Sequence, residues 1–109
     1  MTVSEMESLL APVKIAGGVG DRTIAGVYAG DLLSRAMSHV CADDLWITIM
    51  NNRNVIAVAG LADAAAVLLA EGVDLLPDAL TAAEENGIAV YKTDKTVYEI
   101  CAILARVGV

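Results

Sequence analysis

Several residue types are scarce in this chain of 109 residues, and each shortage excludes a class of protein. Phenylalanine is absent and aromatic residues make up only 4% of the chain, so few rings are available to stack on bases or sugars. Seven basic residues stand against fourteen acidic ones, which gives a net charge of -7. Because such a chain repels phosphate backbones and anionic lipids, we expect no nucleic acid and no membrane among its partners.

Cysteine and histidine are also rare. Cys41 and Cys101 belong to no CxxC or Cys/His ligand pattern, so we predict buried free thiols in a reducing compartment, with a disulfide as the alternative. His39, the single histidine, has no visible catalytic partner and is predicted to end a helix. We therefore expect no catalytic residue, no metal and no cofactor. The acidic N-terminal segment differs from a secretory signal and predicts a cytoplasmic protein.

Aliphatic residues are abundant, since hydrophobic residues make up 57% of the chain. The length fits a single domain, which we divide into an N-terminal helix (1–12) and a core (13–109). Cap signals, prolines and glycines predict helices over Glu5–Leu10, Asp31–Val40, Asp63–Glu71, Pro77–Asn86 and Thr96 to about Arg106. Apolar, β-branched runs predict strands over Val13–Ala16, Leu45–Met50, Val55–Ala59 and Ile88–Tyr91.

Strands followed by helices predict the fold class. Two such units, beginning at Ile56 and Ile88, favour an α/β fold: a single layered domain with a mostly parallel sheet flanked by helices. Capping boxes are expected at Ser4 with Glu7 and at Thr96 with Glu99. Further elements of the prediction are helix caps at Asp31 and Asp63, a buried Trp46, and a solvated turn at Asp43-Asp44.

The glycine-rich segment 17–31 is the first candidate site. Gly18 and Gly20 permit positive φ angles and close backbone approach, as a phosphate-cradling loop requires, although neither common phosphate-loop pattern is present. A tight loop folded against the sheet is the alternative. Asp21, Arg22 and Thr23 are the polar residues of the segment. The forked Arg22 guanidinium either binds a phosphate or carboxylate, or pairs with an acidic residue and fixes the loop.

A second group of candidates follows the predicted strands. Thr93 and Thr96 lie between a strand and a helix N-terminus, and Gly60 with Asp63 is expected in the equivalent position after another strand. Free N–H groups at helix N-termini favour anions, and ligands of open α/β sheets tend to bind beyond the carboxyl ends of strands. Ordinary helix capping is the alternative for these residues.

The residues of the glycine-rich segment resemble the DRTGG domain family. The chain keeps Asp21-Arg22-Thr23 and continues Ile24-Ala25-Gly26, where the family motif has two glycines. The similarity extends from about Val13 to the C-terminus. It is supported by the runs Leu45–Ile49 and Asn54–Ala59, by Gly87–Val90 and by Thr93.

The resemblance implies a fold similar to the N-terminal domain of HPr kinase/phosphorylase and a regulatory role, often beside CBS domains. Free-standing short versions are similar to proteins encoded near iron hydrogenases. A serine kinase activity is not implied, because the phosphate-binding loop of the kinase belongs to a different domain.

Two functions remain open at this point. The first is a non-catalytic regulatory module that senses a nucleotide or another phosphorylated metabolite. The second is a homodimeric interaction protein or accessory subunit, such as a hydrogenase-associated one, which binds a protein partner and no small ligand. A high apolar content in a small chain favours an exposed patch for such a partner.

Overall fold

After an N-terminal helix and two consecutive strands, helices and strands alternate along the chain. A computed structural model describes residues 1–18 and 20–109 of the protein. The helices are α1 (Val3–Leu10), α2 (Leu33–His39), α3 (Arg53–Ala62), α4 (Pro77–Asn86) and α5 (Val97–Arg106). The strands are β1 (Val13–Ala16), β2 (Gly26–Ala29), β3 (Asp44–Thr48), β4 (Ala66–Leu69) and β5 (Val90–Lys92). The predicted fold class is confirmed.

The five strands form one sheet in the order β1-β5-β4-β3-β2. Strands β2 to β5 are parallel neighbours in chain order, and β1 pairs antiparallel with β5 at one edge. The register places Trp46 of β3 opposite Tyr28 of β2 and Val67 of β4. Since parallel neighbours need a crossover, the helices between them run back from the carboxyl edge of the sheet to its amino edge.

The sheet separates two apolar clusters. On one face, α1 and α5 contribute Met6, Leu10, Ile100 and Leu104 to the first cluster. On the other face, α2, α3 and α4 lie side by side and supply the second cluster. Every residue of β3 and β4 is buried, as expected for central strands covered on both faces.

The middle of the chain corrects the sequence prediction. Residues 55–59, predicted as a strand, belong to helix α3, and the segment Asp63–Glu71, predicted as a helix, contains strand β4. In α3 the buried residues are Val55, Ile56, Val58 and Ala59, which lie on one helical face. The Asn52 side chain accepts a hydrogen bond from the Asn54 N–H and so starts this helix.

Helix caps were predicted with mixed success. The box at Thr96 and Glu99 and the start of α4 at Pro77 are confirmed. The first box is formed by Thr2 and Glu5 instead of Ser4 and Glu7, so α1 begins earlier than predicted. Strand β2 was not predicted, because its four residues lie inside the glycine-rich segment.

Asp31 does not cap α2. Its carboxylate accepts hydrogen bonds from Thr48 Oγ1 at 2.8 Å and from the Ile49 N–H at 2.9 Å, so it fastens the end of β3.

The burial of other side chains agrees with the prediction only in part. Trp46 is fully buried, as expected, and its indole N–H donates to the Gly30 carbonyl. Cys101 is half-buried and Cys41 is exposed, both as free thiols, so the expectation that both are buried is wrong. Within residues 1–18 and 20–109, no helix has the length and apolar character needed to cross a membrane.

Candidate functional site

The glycine-rich loop lies at the amino edge of the sheet, where the four parallel strands begin. Gly17 has a φ of +66°, and a Cβ atom built there would lie 1.8 Å from the carbonyl oxygen of Ile88. Gly18 also has a positive φ and approaches Ala89. The loop is therefore pressed onto the connection between α4 and β5. Val19, which belongs to the predicted loop, lies outside the described residues.

Arg22 binds the connections that precede β3 and β4. Its Nη2 donates to the Asp43 carboxylate at 2.5 Å and to the Asp63 carbonyl at 3.0 Å. Its Nη1 donates to the Asp63 carboxylate at 3.1 Å and to the Ala64 carbonyl at 3.0 Å. The hydrogen bond to Asp43 and the charge of Asp63 raise the pKa of the guanidinium. This geometry matches the loop-fixing alternative for Arg22.

Asp63 has a different position from the one predicted. It is the C-cap residue of α3, with a left-handed backbone at φ 57°, and not the N-cap of a following helix. The Arg22 guanidinium therefore lies at the carboxyl end of α3, where a positive charge is favoured by the helix dipole. Asp43 also has a left-handed backbone, at φ 65°, and pairs with Arg22 instead of forming a freely solvated turn.

A polar pocket of about 220 Å³ opens beside this loop, and we call it the amino-edge pocket. It brings together five of the predicted site residues: Gly18, Gly20, Asp21, Arg22 and Asp63. Its other walls come from α1, β1, β5 and the connections after α3 and α4, including Ser4, Glu7, Lys14, Gly87, Ala89 and Tyr91. The pocket is thus a junction of segments that are distant in sequence.

Hydrogen bonds connect several of the pocket walls. Asp21 accepts from the Ser4 N–H at 2.9 Å, which ties the loop to the first turn of α1. The Tyr91 hydroxyl donates to the Glu7 carboxylate at 2.8 Å, and burial together with this hydrogen bond raises the tyrosine pKa. Lys14 Nζ donates to the Gly18 carbonyl at 3.2 Å.

The charges of the pocket determine what it can bind. Three carboxylates (Glu7, Asp21 and Asp63) and two cations (Lys14 and Arg22) line it. The acidic majority, and the use of the Arg22 donors within the protein, favour a ligand group that donates hydrogen bonds over a phosphate.

The remaining predicted residues lie elsewhere. Thr23 is exposed and pairs with Thr2 in an isolated antiparallel bridge. Gly60 lies within α3 on its exposed side, because the predicted strand is a helix.

Thr93 and Thr96 follow β5 at the carboxyl edge, the opposite edge of the sheet. Thr93, with Lys92 and Lys95, lines a cleft of about 230 Å³ there, which we call the carboxyl-edge cleft. Lys92 is paired with Asp74 at 2.5 Å, and Thr96 caps α5. The structure therefore divides the predicted site between two edges.

Sequence reasoning missed Glu7, Lys14, Asp43 and Tyr91. No local pattern identifies them, because their contacts join segments far apart in the chain: Glu7 and Tyr91 are separated by 84 positions. An isolated tyrosine in an apolar strand is typical of a core residue, and a glutamate in the first helix is typical of a solvated face.

Comparison with known proteins gives a likeness in structure. No family model matches the chain, and no curated protein matches it. A solved structure with a similar fold contains the CBS and DRTGG domains of the regulatory region of Clostridium perfringens pyrophosphatase, complexed with the activator diadenosine tetraphosphate. The TM-score is 0.71 at 11% sequence identity, over 94% of this chain and 45% of that chain. This likeness supports a DRTGG-like α/β fold.

Proposed function

We propose that the chain is a non-catalytic regulatory module of the DRTGG type and that a small ligand binds in its amino-edge pocket. The observation that carries this proposal is the convergence of α1, β1, the glycine-rich loop, the α3–β4 connection and β5 on one polar pocket. A ligand held there contacts all of these segments at once. Because it binds the folded state alone, it stabilises their arrangement, as a sensor requires.

The chemistry of the pocket selects the part of the ligand that enters it. Glu7 and Asp21 offer acceptors for amino or hydroxyl groups, such as those of a base or a ribose. Lys14, which is exposed, offers a cation for a phosphate group of such a ligand. The C. perfringens region, which binds a dinucleoside tetraphosphate, supports a nucleotide as the first ligand class to test.

Thermal unfolding in the presence of nucleosides, nucleotides, diadenosine tetraphosphate and sugar phosphates tests the proposal. Two variants distinguish the edges of the sheet: Lys14→Ala alters the amino-edge pocket, and Lys95→Ala alters the carboxyl-edge cleft. A ligand at a hundredfold excess over its dissociation constant adds about 2.7 kcal/mol to the stability of the fold. We expect a saturable rise in melting temperature that Lys14→Ala weakens and Lys95→Ala leaves intact.

Other results would change the assignment. If Lys95→Ala removes the response and Lys14→Ala does not, the ligand binds at the carboxyl edge beside Thr93 and Thr96. If no compound raises the melting temperature, the ligand-sensing function is wrong.

A second candidate function is assembly, as a homodimer or as an accessory subunit bound to another protein. The observation that favours it is the exposure of large apolar side chains on helices: Leu61 is 86% exposed and Met37 is 63% exposed. Exposed apolar groups that lie together are typical of interaction surfaces. Light scattering on the purified protein measures its oligomeric state directly.

A further inference from the structure

Helix α5 is apolar on the side that faces away from the sheet as well as on the side that packs against it. No charged residue occurs from Ile100 to Ala105, a stretch of nearly two helical turns. Ile100 and Leu104 are buried in the first cluster, whereas Tyr98 is 81% exposed and Ala105 is exposed too. A helix that is apolar all round is typically buried on all sides. The outer side of α5 therefore has the character of a contact surface.

Two charges of opposite sign flank this outer side. Tyr98, Ala102 and Ala105 stand at positions i, i+4 and i+7, so they form one uncharged strip along the helix. Glu99 in the first turn and Arg106 in the last turn lie on the same flank of the strip. Both are exposed, and both lie outside the ion pairs found among the described residues. Because they are about 10.5 Å apart along the axis, they cannot pair with each other within one helix.

This surface is complementary to itself when two copies of α5 run antiparallel. A two-fold axis across the helix at Ala102 reverses the direction of the second helix and brings the same flank of both helices together. With a rise of about 1.5 Å per residue, Glu99 then lies level with Ala105 and Arg106 of the second copy, twice by symmetry. Along the helix, the two Glu99 residues are about 9 Å apart and the two Arg106 residues about 12 Å apart. A parallel pair of helices would instead place each charge beside the uncharged flank of the other.

We propose that the outer side of α5 binds a second copy of the chain, with the two helices antiparallel about a two-fold axis at Ala102. The proposal rests on the assembly function proposed above and names its surface. The small side chains of Ala102 and Ala105 allow the helices to approach closely. The Tyr98 ring then packs on Ala105 of the second copy, within reach of a cation–π contact with Arg106. The aromatic side chains supply most of the affinity, and the pairs of Glu99 with Arg106 select the antiparallel direction.

Light scattering of the full chain, with and without Tyr98→Asp, tests the surface. The matched control is Leu61→Asp, which places the same charge at an exposed apolar residue of α3, on the opposite face of the sheet. We expect a dimer at about 100 μM for the unaltered chain and for Leu61→Asp, and a dimer at least about tenfold weaker for Tyr98→Asp. Aspartate is favoured in the first turn of a helix, so circular dichroism should show that Tyr98→Asp is folded.

Charge reversal tests the direction of the helices. Glu99→Arg should weaken the dimer, because it sets two positive charges against each other, and the double variant Glu99→Arg/Arg106→Glu should restore it with the pair reversed. Both variants lose the capping hydrogen bond that Glu99 accepts from the Thr96 N–H, so their comparison isolates the contact between copies. Arg106→Glu keeps this cap and should weaken the dimer as well.

The outcomes separate the surface from the assembly function. A monomeric unaltered chain overturns the homodimer and this surface together. If Tyr98→Asp dimerises as tightly as the unaltered chain, the surface is wrong and dimerisation stands; loss of the dimer in Leu61→Asp alone would assign it to α3. A double variant no tighter than Glu99→Arg, with Arg106→Glu as tight as the unaltered chain, overturns the antiparallel arrangement.

Discussion

Each Nη atom of Arg22 donates hydrogen bonds to two acceptors of the protein. Those acceptors belong to Asp43, Asp63 and Ala64, and the guanidinium holds the starts of β3 and β4 against the glycine-rich loop. A half-exposed charged cluster is screened by solvent, which reduces the contribution of each pair to stability. Several charge-assisted hydrogen bonds from one fork nevertheless add up.

The first prediction is that Arg22→Ala lowers the free energy of unfolding by about 2 kcal/mol, because two carbonyls and two carboxylates lose their donor. For a domain of this size, that corresponds to a fall in melting temperature of roughly 8–16 °C. Urea unfolding of both proteins measures it. Arg35→Ala is the matched control, since the exposed Arg35 has no ion pair within the described residues. Equal stability of the two variants would contradict the prediction.

Tyr91 gives the fold a dependence on alkaline pH. Burial and the hydrogen bond to Glu7 raise the pKa of its hydroxyl above the ordinary value of about 10. When the folded pKa exceeds the unfolded one, the contribution to stability is complete below the unfolded pKa and is lost as the pH rises above it.

The second prediction is that the free energy of unfolding falls as the pH rises above about 10, and that Tyr91→Phe reduces this fall. The variant keeps the ring in the core but has no hydroxyl to ionise or to donate a hydrogen bond to Glu7. Its free energy of unfolding is therefore about 1 kcal/mol lower than that of the unaltered chain at pH 7, and the difference is smaller in alkali. Urea unfolding at several pH values provides the measurement, and phenolate absorbance at high pH shows when Tyr91 ionises. An identical pH dependence in the two proteins would rule out the role of Tyr91.

At the scale of elements, sequence reasoning succeeded where the signals are local. Pro77 and the Thr96–Glu99 box predicted the starts of α4 and α5, because caps act within one turn. It failed in residues 53–70, where Val-Ile-Ala-Val-Ala suits a buried strand as well as a buried helix. The caps decide between the two: the Asn52 side chain starts a helix, and the left-handed Asp63 ends it.

The residues of the amino-edge pocket differ in how far the sequence alone points to them. Glycines indicate a loop, so the sequence predicts Gly18, Gly20 and Asp21 as candidate residues. Their pairing with Glu7, Lys14 and Tyr91 depends on the strand order β1-β5-β4-β3-β2, which no short pattern encodes.

The third prediction concerns the glycine-rich loop and compares two glycines with positive φ. An alanine at Gly20 (φ +78°) meets no atom within 4 Å, so only the backbone conformation is strained, by about 1–2 kcal/mol. An alanine at Gly17 meets the Ile88 carbonyl oxygen at 1.8 Å and must also displace the loop. We expect Gly17→Ala to cost at least about 3 kcal/mol.

Urea unfolding of the two glycine variants measures the difference between them. Gly20→Ala is the control, because it shares the backbone strain and lacks the clash. Equal costs would mean that the loop is not pressed onto the α4–β5 connection. The amino-edge pocket would then have a different wall, and the ligand proposal would lose its geometry.

At the scale of the whole molecule, the N-terminal helix is part of the core. Met6 and Leu10 are almost fully buried in the cluster between α1, α5 and the sheet. The backbone of the first residues is also engaged: the Val3 N–H donates to the Arg22 carbonyl at 2.8 Å, and the Met1 carbonyl accepts from the Ile24 N–H at 2.7 Å. The division into a helix at 1–12 and a core at 13–109 therefore describes the order of the chain and not two independent units.

The fourth prediction is that residues 13–109 alone do not form a stable fold. Removing α1 exposes one face of the sheet and eliminates the burial of Val3, Met6 and Leu10, at about 1.5–3 kcal/mol for each side chain. The sum, roughly 5–9 kcal/mol, is comparable to the whole stability of a typical domain. The truncation also removes Ser4 and Glu7 from the amino-edge pocket.

We expect this truncated chain to bind a hydrophobic dye and to unfold without a cooperative transition, whereas the full chain unfolds cooperatively. Adding a synthetic peptide of residues 1–12 is the sharper test, because it returns the missing wall without a covalent link. Recovery of a cooperative transition with the peptide would show that α1 completes the core by packing alone. A truncated chain that is already cooperative would mean that α1 is an appendage, and that the pocket forms without the segment that supplies Glu7.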